Sequence, residues 1–285
     1  MVFVKDNSVD SIVSYLDENL SELYPSGEVR SIIAILFKHY QNWDKLDLRS
    51  NMNKQLSESE LLNYHFALKQ LRSNKPIQYV LGETEFYGLP FKVSEQVLIP
   101  RQETEELVDL IIKESVKEDS LIDVGCGSGC ISVSYKKERP QSDVVCVDID
   151  PEALEVAETN ARLNLVKVRP IQMDILNWTD LETRFDIVVS NPPYVTLGEK
   201  ANMNKNVLNF EPHVALFVED VNPVVFYESI AAFALAHLKE NGRIYFEINE
   251  RFGREVASCL EVRNFKDIRI MKDINGKDRI VAGHL

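Results

Sequence analysis

Apolar side chains near the N-terminus recur at steps of three and four: Val9, Ile12, Val13, Leu16 and Leu20, then Val29, Ile32, Ile33, Leu36 and Phe37. That period predicts two amphipathic helices. Ser57 and Glu60 form a capping-box pattern ahead of Leu61, Leu62, Phe66, Leu68 and Leu71, which predicts a third helix with those side chains in a core. The helical pattern stops at Asn74-Lys75-Pro76, so residues 1–75 read as a small all-α domain. Residues 76–100 contain Gly82, Gly88, Pro90 and Pro100 and read as a hairpin-like linker. From about residue 101 the pattern changes. Short apolar runs at 121–124, 144–148, 168–173, 185–190, 243–248, 267–272 and 279–283 alternate with helical stretches. Alternation of this kind predicts a doubly wound α/β sheet, mostly parallel, with helices on both faces. The last two runs, joined through Asn275-Gly276, predict an antiparallel C-terminal hairpin.

Chemistry enters at the ends of these runs. Asp123-Val124-Gly125-Cys126-Gly127-Ser128-Gly129 follows one strand and opens a helical segment from Ile131 to Tyr135. Strand, glycine turn and helix bring backbone close to a ligand. The spacing is G-x-G-x-G, neither the dinucleotide fingerprint nor a phosphate loop, so the ligand is a different one. The next run ends at Asp148, about twenty residues further on, where a carboxylate can accept both hydroxyls of a ribose. Asp150-Pro151 then predicts a helix start, with Ala153, Leu154, Ala157 and Ala161 on its inner face. The run 185–190 stops at Asn191-Pro192-Pro193-Tyr194, where proline cannot continue a strand. The Asn191 side-chain oxygen and the Pro192 carbonyl can both accept hydrogens of a planar –NH2 group, which suits a reaction on an amide or aromatic amine nitrogen.

Glycine loop, acidic strand end and Asn-Pro-Pro-Tyr together resemble the S-adenosylmethionine-dependent methyltransferases that act on planar nitrogens. Within them the chain resembles the HemK/PrmC family, the release factor glutamine methyltransferases. The likeness also rests on Pro76 to Gly82 with Glu85-Phe86-Tyr87-Gly88, on Val97 to Glu105, on Glu211-Pro212 with Ala215-Leu216, and on Lys272 to Arg279. Two positions and one segment depart from the family pattern: Gln102 stands where proline is usual, Cys126 where threonine is common, and 217–223 lacks the usual glycines while keeping Asp220. The resemblance implies a Rossmann-like class I methyltransferase fold after a small helical domain that helps hold the protein substrate. It implies Gly125, Cys126, Gly127, Ser128 and Gly129 around the methionine part of S-adenosyl-L-methionine, Asp148 on its ribose, and Asp174 or Ile175 beside the adenine, with Asn191 also near the cofactor. Asn191, Pro192, Pro193 and Tyr194 would bind the substrate, with Asn191, Pro192 and Tyr194 acting in catalysis. Phe86 and Tyr87 would wall the site or pack in the core. Arg101 and Glu103 would order the start of the catalytic domain, touch cofactor, or form a surface ion pair. The implied reaction methylates the N5 of the glutamine in the Gly-Gly-Gln loop of class-1 peptide chain release factors and leaves S-adenosyl-L-homocysteine.

Composition narrows the alternatives. A length of 285 residues, 45% hydrophobic and 27% charged, suits a globular chain of two domains. No apolar stretch approaches the roughly eighteen residues of a membrane span, and no signal-peptide layout opens the chain, so no membrane partner is expected. Cys126, Cys130, Cys146 and Cys259 show no C-x-x-C spacing and read as reduced thiols of a cytoplasmic protein. The histidines are scattered without an H-E-x-x-H pattern, so no metal is expected, and His213 reads as a surface residue. A net charge of −13 argues against a direct nucleic-acid surface and suits a partner with basic patches. An adenine-N6 or cytosine-N4 methyltransferase would use the same tetrapeptide but needs a basic, aromatic target-binding region. A cofactor-binding module without catalysis is the other alternative.

Overall fold

The Ser8 side chain accepts the Ser11 N–H and opens α1 (Val9–Leu20). The structure, a computed structural model, describes residues 4–285. It divides into two compact units, one running to Gly82 and including Lys205–Phe210, the other formed by the rest. In the first, α1 is followed by α2 (Ser26–Gln41), α3 (Lys45–Ser50), α4 (Glu58–Leu71) and α5 (Ile77–Leu81). The Ser57–Glu60 capping box is present at α4, and a second box, Asp44 with Asp47, starts α3. Val9, Ile12, Leu16 and Leu20 meet Leu36, Phe37, Tyr64 and Leu68 in the core of this unit. Leu62 and Phe66 are exceptions to the predicted stripe, 39% and 57% exposed. They lie four residues apart on the face of α4 away from the buried Leu61, Tyr64, Leu68 and Leu71. The hairpin-like reading of 76–100 is also corrected in part: Pro76 opens a helical turn that ends at Gly82 in the left-handed conformation, φ 70°. Ile77, Val80 and Leu81 pack on the helical core.

The second unit begins with a hairpin of β1 (Glu83–Phe86) and β2 (Leu89–Lys92), turning through Tyr87 and Gly88, both at positive φ. Next come α6 (Gln102–Glu114), β3 (Leu121–Val124), α7 (Cys130–Glu138), β4 (Val144–Asp148), α8 (Pro151–Leu163), β5 (Arg169–Gln172) and β6 (Phe185–Ser190). A parallel pair, β7 (Val195–Thr196) and β8 (Phe217–Val218), brackets α9 (Lys205–Phe210), which groups with the first unit, and α10 (His213–Leu216). Then follow α11 (Val225–His237), β9 (Leu238–Glu247), α12 (Gly253–Glu261), β10 (Lys266–Lys272) and β11 (Asp278–His284).

Seven strands of the described residues form one sheet in the order β10-β11-β9-β6-β3-β4-β5. β3, β4, β5, β6 and β9 are parallel, and β11 runs antiparallel to both β9 and β10. Alternating strand residues feed two cores. Ile122, Val124, Val188 and Phe246 meet Ile230, Phe233 and Val256 of α11 and α12, whereas Leu121, Ile187, Val189 and Tyr245 meet Leu107, Val108 and Val133 of α6 and α7. Phe86 and Phe91 join the second core edge to face, centroids 5.9 Å apart. The chain leaves β3 toward β4 and β5, then returns to place β6 on the other side of β3. That reversal opens a crevice at the carboxyl ends of β3 and β6, the usual binding place in open α/β sheets.

Candidate active site

The crevice holds a cavity of about 300 Å³ lined by Gly125, Cys126, Gly127 and Ser128 after β3, Asp148 to Asp150 after β4, Asp174 to Leu176 after β5, and Asn191, Pro192 and Pro193 after β6. The Ser190 hydroxyl donates to the Val124 carbonyl at 2.6 Å and ties the ends of β6 and β3 together. Gly125 and Gly127 sit at φ 73° and 51°, with nothing within 4 Å of where a Cβ would stand. A side chain there would be strained and would fill the cradle. Gly129 has another task. It does not line the cavity; it precedes α7 at φ 74°, and a Cβ on it would lie 3.0 Å from the Ala157 Cβ of α8 and 3.2 Å from its Cα. Gly129→Ala should therefore destabilise the protein by about 1–3 kcal/mol, left-handed strain adding to overpacking. Urea unfolding with an unchanged m-value would measure it; an unmoved midpoint would remove this packing role.

Asp148 is the structural partner of the loop. Its Oδ2 accepts the Gly127 N–H at 2.9 Å and its Oδ1 the Asp150 N–H at 3.1 Å. Each oxygen keeps a lone pair for a ligand hydroxyl. Burial raises this carboxyl above the ordinary aspartate value, opposed by those backbone N–H groups. Asp150 caps α8 by accepting the Glu152 N–H at 2.9 Å. Asn160, fully buried on α8, donates to the Ser128 and Lys92 carbonyls at 2.9 Å each and so fastens the loop to β2. Nothing in its sequence context separates it from an ordinary helix residue. Asp123, at the base of the loop, is buried with Oδ1 unpartnered, and burial pushes it up to about 7. Asp123 does not itself line the cavity, whereas Val124 and Gly125, which follow it, do. With the open cradle and the free lone pairs of Asp148, these residues fit S-adenosylmethionine. Among the described residues no group of three or more His, Cys, Asp or Glu could hold a metal ion.

The tetrapeptide divides. Asn191, Pro192 and Pro193 line the cavity, but Tyr194 does not: its hydroxyl donates to Glu247 Oε1 at 3.1 Å and its ring packs on the core of α11 and α12. Burial, then the Glu247 charge, raises the phenol well above its ordinary value, so it stays protonated and donates. Asn191 Nδ2 donates to Thr104 Oγ1 at 3.3 Å, and Thr104 Oγ1 donates to Glu247 Oε2 at 2.6 Å. Glu247 is 1% exposed; burial raises its carboxyl, while Thr104, Tyr194 and the Arg279 charge pull it back. Arg279 in turn binds Asp273 at 3.1 Å in the C-terminal hairpin.

Arg101 lines the cavity and pairs with the buried Glu211 at 2.6 Å, not with Glu103. Glu211 also accepts the Ile99 N–H at 3.3 Å. Phe86 and Tyr87 do not line the cavity; the first is core and the second is the hairpin turn. In the segment that departs from the family pattern, Asp220 Oδ1 accepts the Gly198 N–H at 2.9 Å, so it steadies the turn after the tetrapeptide without the missing glycines. His213 is exposed, with its ring edge-on to Phe217 at 5.2 Å.

Residues 13–82 match the PrmC N-terminal domain and residues 102–210 the methyltransferase small domain. The chain is 45% identical to the release factor glutamine methyltransferase of Flavobacterium psychrophilum, over 92% of this chain and 94% of that one. It is 39% identical to the release factor glutamine methyltransferase of Bacteroides thetaiotaomicron, over 97% and 100%. A crystal structure of a methyltransferase from Pyrococcus furiosus shares the fold, with a TM-score of 0.53 at 14% identity, covering 70% of this chain and 90% of that one. The alternation of strands, the two-sided helical cover and the antiparallel hairpin read from the sequence are those of a Rossmann-like methyltransferase, and the chain belongs to the HemK/PrmC family of release factor glutamine methyltransferases.

Proposed function

We propose that the protein transfers a methyl group from S-adenosyl-L-methionine to the side-chain N5 of the glutamine in the Gly-Gly-Gln loop of class-1 peptide chain release factors. One observation carries the reading: the glycine loop with Asp148 and the Asn191-Pro192-Pro193 turn line the same cavity. S-adenosylmethionine supplies an activated methyl group on a sulfonium, so no covalent enzyme intermediate is needed. The protein's task is alignment and exclusion of water. Gly125 to Ser128 hold the methionine part, Asp148 the ribose, and Asp174 and Ile175 border the adenine. An amide nitrogen is a poor nucleophile because its lone pair is delocalised. Asn191 Oδ1 and the Pro192 carbonyl accept its two hydrogens and fix its position. Those bonds strengthen as positive charge develops on the nitrogen, which is preferential binding of the transition state. The nitrogen gives up one proton to bulk water after the methyl has been transferred.

Tyr194 acts from behind the turn, through Glu247, rather than on the substrate. The helical unit helps hold the release factor, and the enzyme works in the cytoplasm. None of the described helices is long and apolar enough to cross a membrane. The reading is tested with release factors whose loop glutamine is replaced by glutamate or asparagine. Neither should take label from S-adenosylmethionine while the parent does; equal labelling would place the methyl group elsewhere.

A further inference from the structure

The Asn191 carboxamide must face a defined way to work as an acceptor. Its two orientations have nearly the same shape, but a flip presents an NH2 group to the substrate amide where an oxygen is required. A neighbouring hydroxyl alone cannot decide between them, because it can donate to Oδ1 as readily as accept from Nδ2. The decision is made one residue further back. Glu247 accepts hydroxyl hydrogens on both oxygens, from Thr104 at 2.6 Å and from Tyr194 at 3.1 Å. Thr104 has thereby used its single proton and offers Asn191 only lone pairs. Nδ2 must then face Thr104, as it does at 3.3 Å, and Oδ1 is left for the substrate.

The fold supports this chain of bonds at each link. β6 and β9 are parallel neighbours with Ser190 opposite Phe246, so Asn191, just past β6, stands beside Glu247, the last residue of β9. Thr104 lies in the first turn of α6, and both Thr104 and Glu247 are nearly inaccessible, 2% and 1% exposed. Water cannot substitute freely for a missing partner there.

We propose that Thr104 and Glu247 are positioning residues that set the acceptor direction of Asn191, a role that rests on the glutamine reading above. Thr104→Val keeps the shape and deletes the hydroxyl; Thr104→Ser keeps the hydroxyl. In methylation assays on a release factor, Thr104→Val should lower kcat by about tenfold, less than the roughly hundredfold or more for losing the transition-state partner itself, because Asn191 stays in place and loses only its orientation. Cofactor affinity by calorimetry and KM for the release factor should hold within about threefold, and Thr104→Ser should restore kcat, as expected when only transition-state contacts are lost. Thr104 also lines the cavity, so the double variant separates the two routes: in an Asn191→Ala background Thr104→Val should have no further effect on kcat if it acts through Asn191. An equal fall in both backgrounds, or full activity in Thr104→Val, overturns the proposal.

A second readout is independent of substrate. The Asn191 side-chain amide protons should exchange slowly in the wild type and in Thr104→Ser, and fast in Thr104→Val or, if that variant does not fold, in Glu247→Gln. Unchanged exchange in a folded variant overturns the hydrogen-bond chain. A wild type that labels no release factor, yet shows the protected amide, would reject the glutamine reading, and with it any role in transfer, while leaving the geometry intact.

Discussion

Asn191→Ala should lower kcat on a release factor by about a hundredfold or more, the scale for losing one preorganised transition-state partner, while cofactor binding survives. The side chain stands at the end of β6, at the cavity, and its Nδ2 is held by Thr104. Truncation removes the acceptor that locates the amide nitrogen and leaves the Pro192 carbonyl alone, so the nitrogen can rotate away from the line of attack. Since Asn191 is not a core residue, unfolding should be little affected. Asn191→Asp is the sharper variant: it keeps an acceptor but loses the donor to Thr104 and places a carboxylate beside the Thr104 oxygen. It too should lose most of kcat. Turnover near the wild-type rate in Asn191→Ala would remove this residue from the mechanism.

The second large effect is expected at Asp148 and in binding rather than turnover. Asp148→Ala should weaken cofactor affinity by about a hundredfold, in line with roughly 3 kcal/mol for hydrogen bonds to a charged group. Two losses combine: the acceptors for the ribose hydroxyls, and the anchor of the Gly127 N–H that shapes the glycine loop. The carboxyl is raised by its own burial, so its removal also relieves a desolvation cost. The loss should therefore appear in the cofactor Kd, by calorimetry, more than in the unfolding midpoint. The same raised value fixes the sign of the pH dependence. The ribose needs the ionised form, so affinity should fall on acidification, beginning above the pH at which an ordinary aspartate protonates. Unchanged affinity in Asp148→Ala would contradict the ribose assignment.

The candidate site was legible in the sequence wherever it lies in a short segment at a strand end. The glycine loop, Asp148 with the Asp150-Pro151 helix start, and Asn191 to Pro193 are each local, and parallel pairing of β3, β4 and β6 gathers them at one edge. Elements without a stripe were missed. α3 buries none of its residues and is announced only by the Asp44–Asp47 box. α5 is a single turn whose Pro76 and Gly82 suit a loop as well as a helix. Long-range polar partners were out of reach for a different reason. Thr104 and Glu247 are 143 positions apart, and Arg101 and Glu211 are 110 apart, so only the folded sheet reveals that they meet. A faint signal existed for Glu247, a carboxylate inside the apolar run Ile244-Tyr245-Phe246-Glu247-Ile248, where an unpaired charge would be costly. Tyr194 shows the limit of reading a motif as a unit: its neighbours line the cavity, while its own hydroxyl is turned back to that buried carboxylate.

The most direct measurement gives the purified protein labelled S-adenosylmethionine and two acceptors side by side, an unmodified class-1 release factor and duplex DNA, and locates the methyl group by mass spectrometry. One methyl is expected on the side-chain nitrogen of the Gly-Gly-Gln glutamine and none on DNA. Label on adenine or cytosine with none on the release factor, or cofactor binding with no label on either, would contradict it.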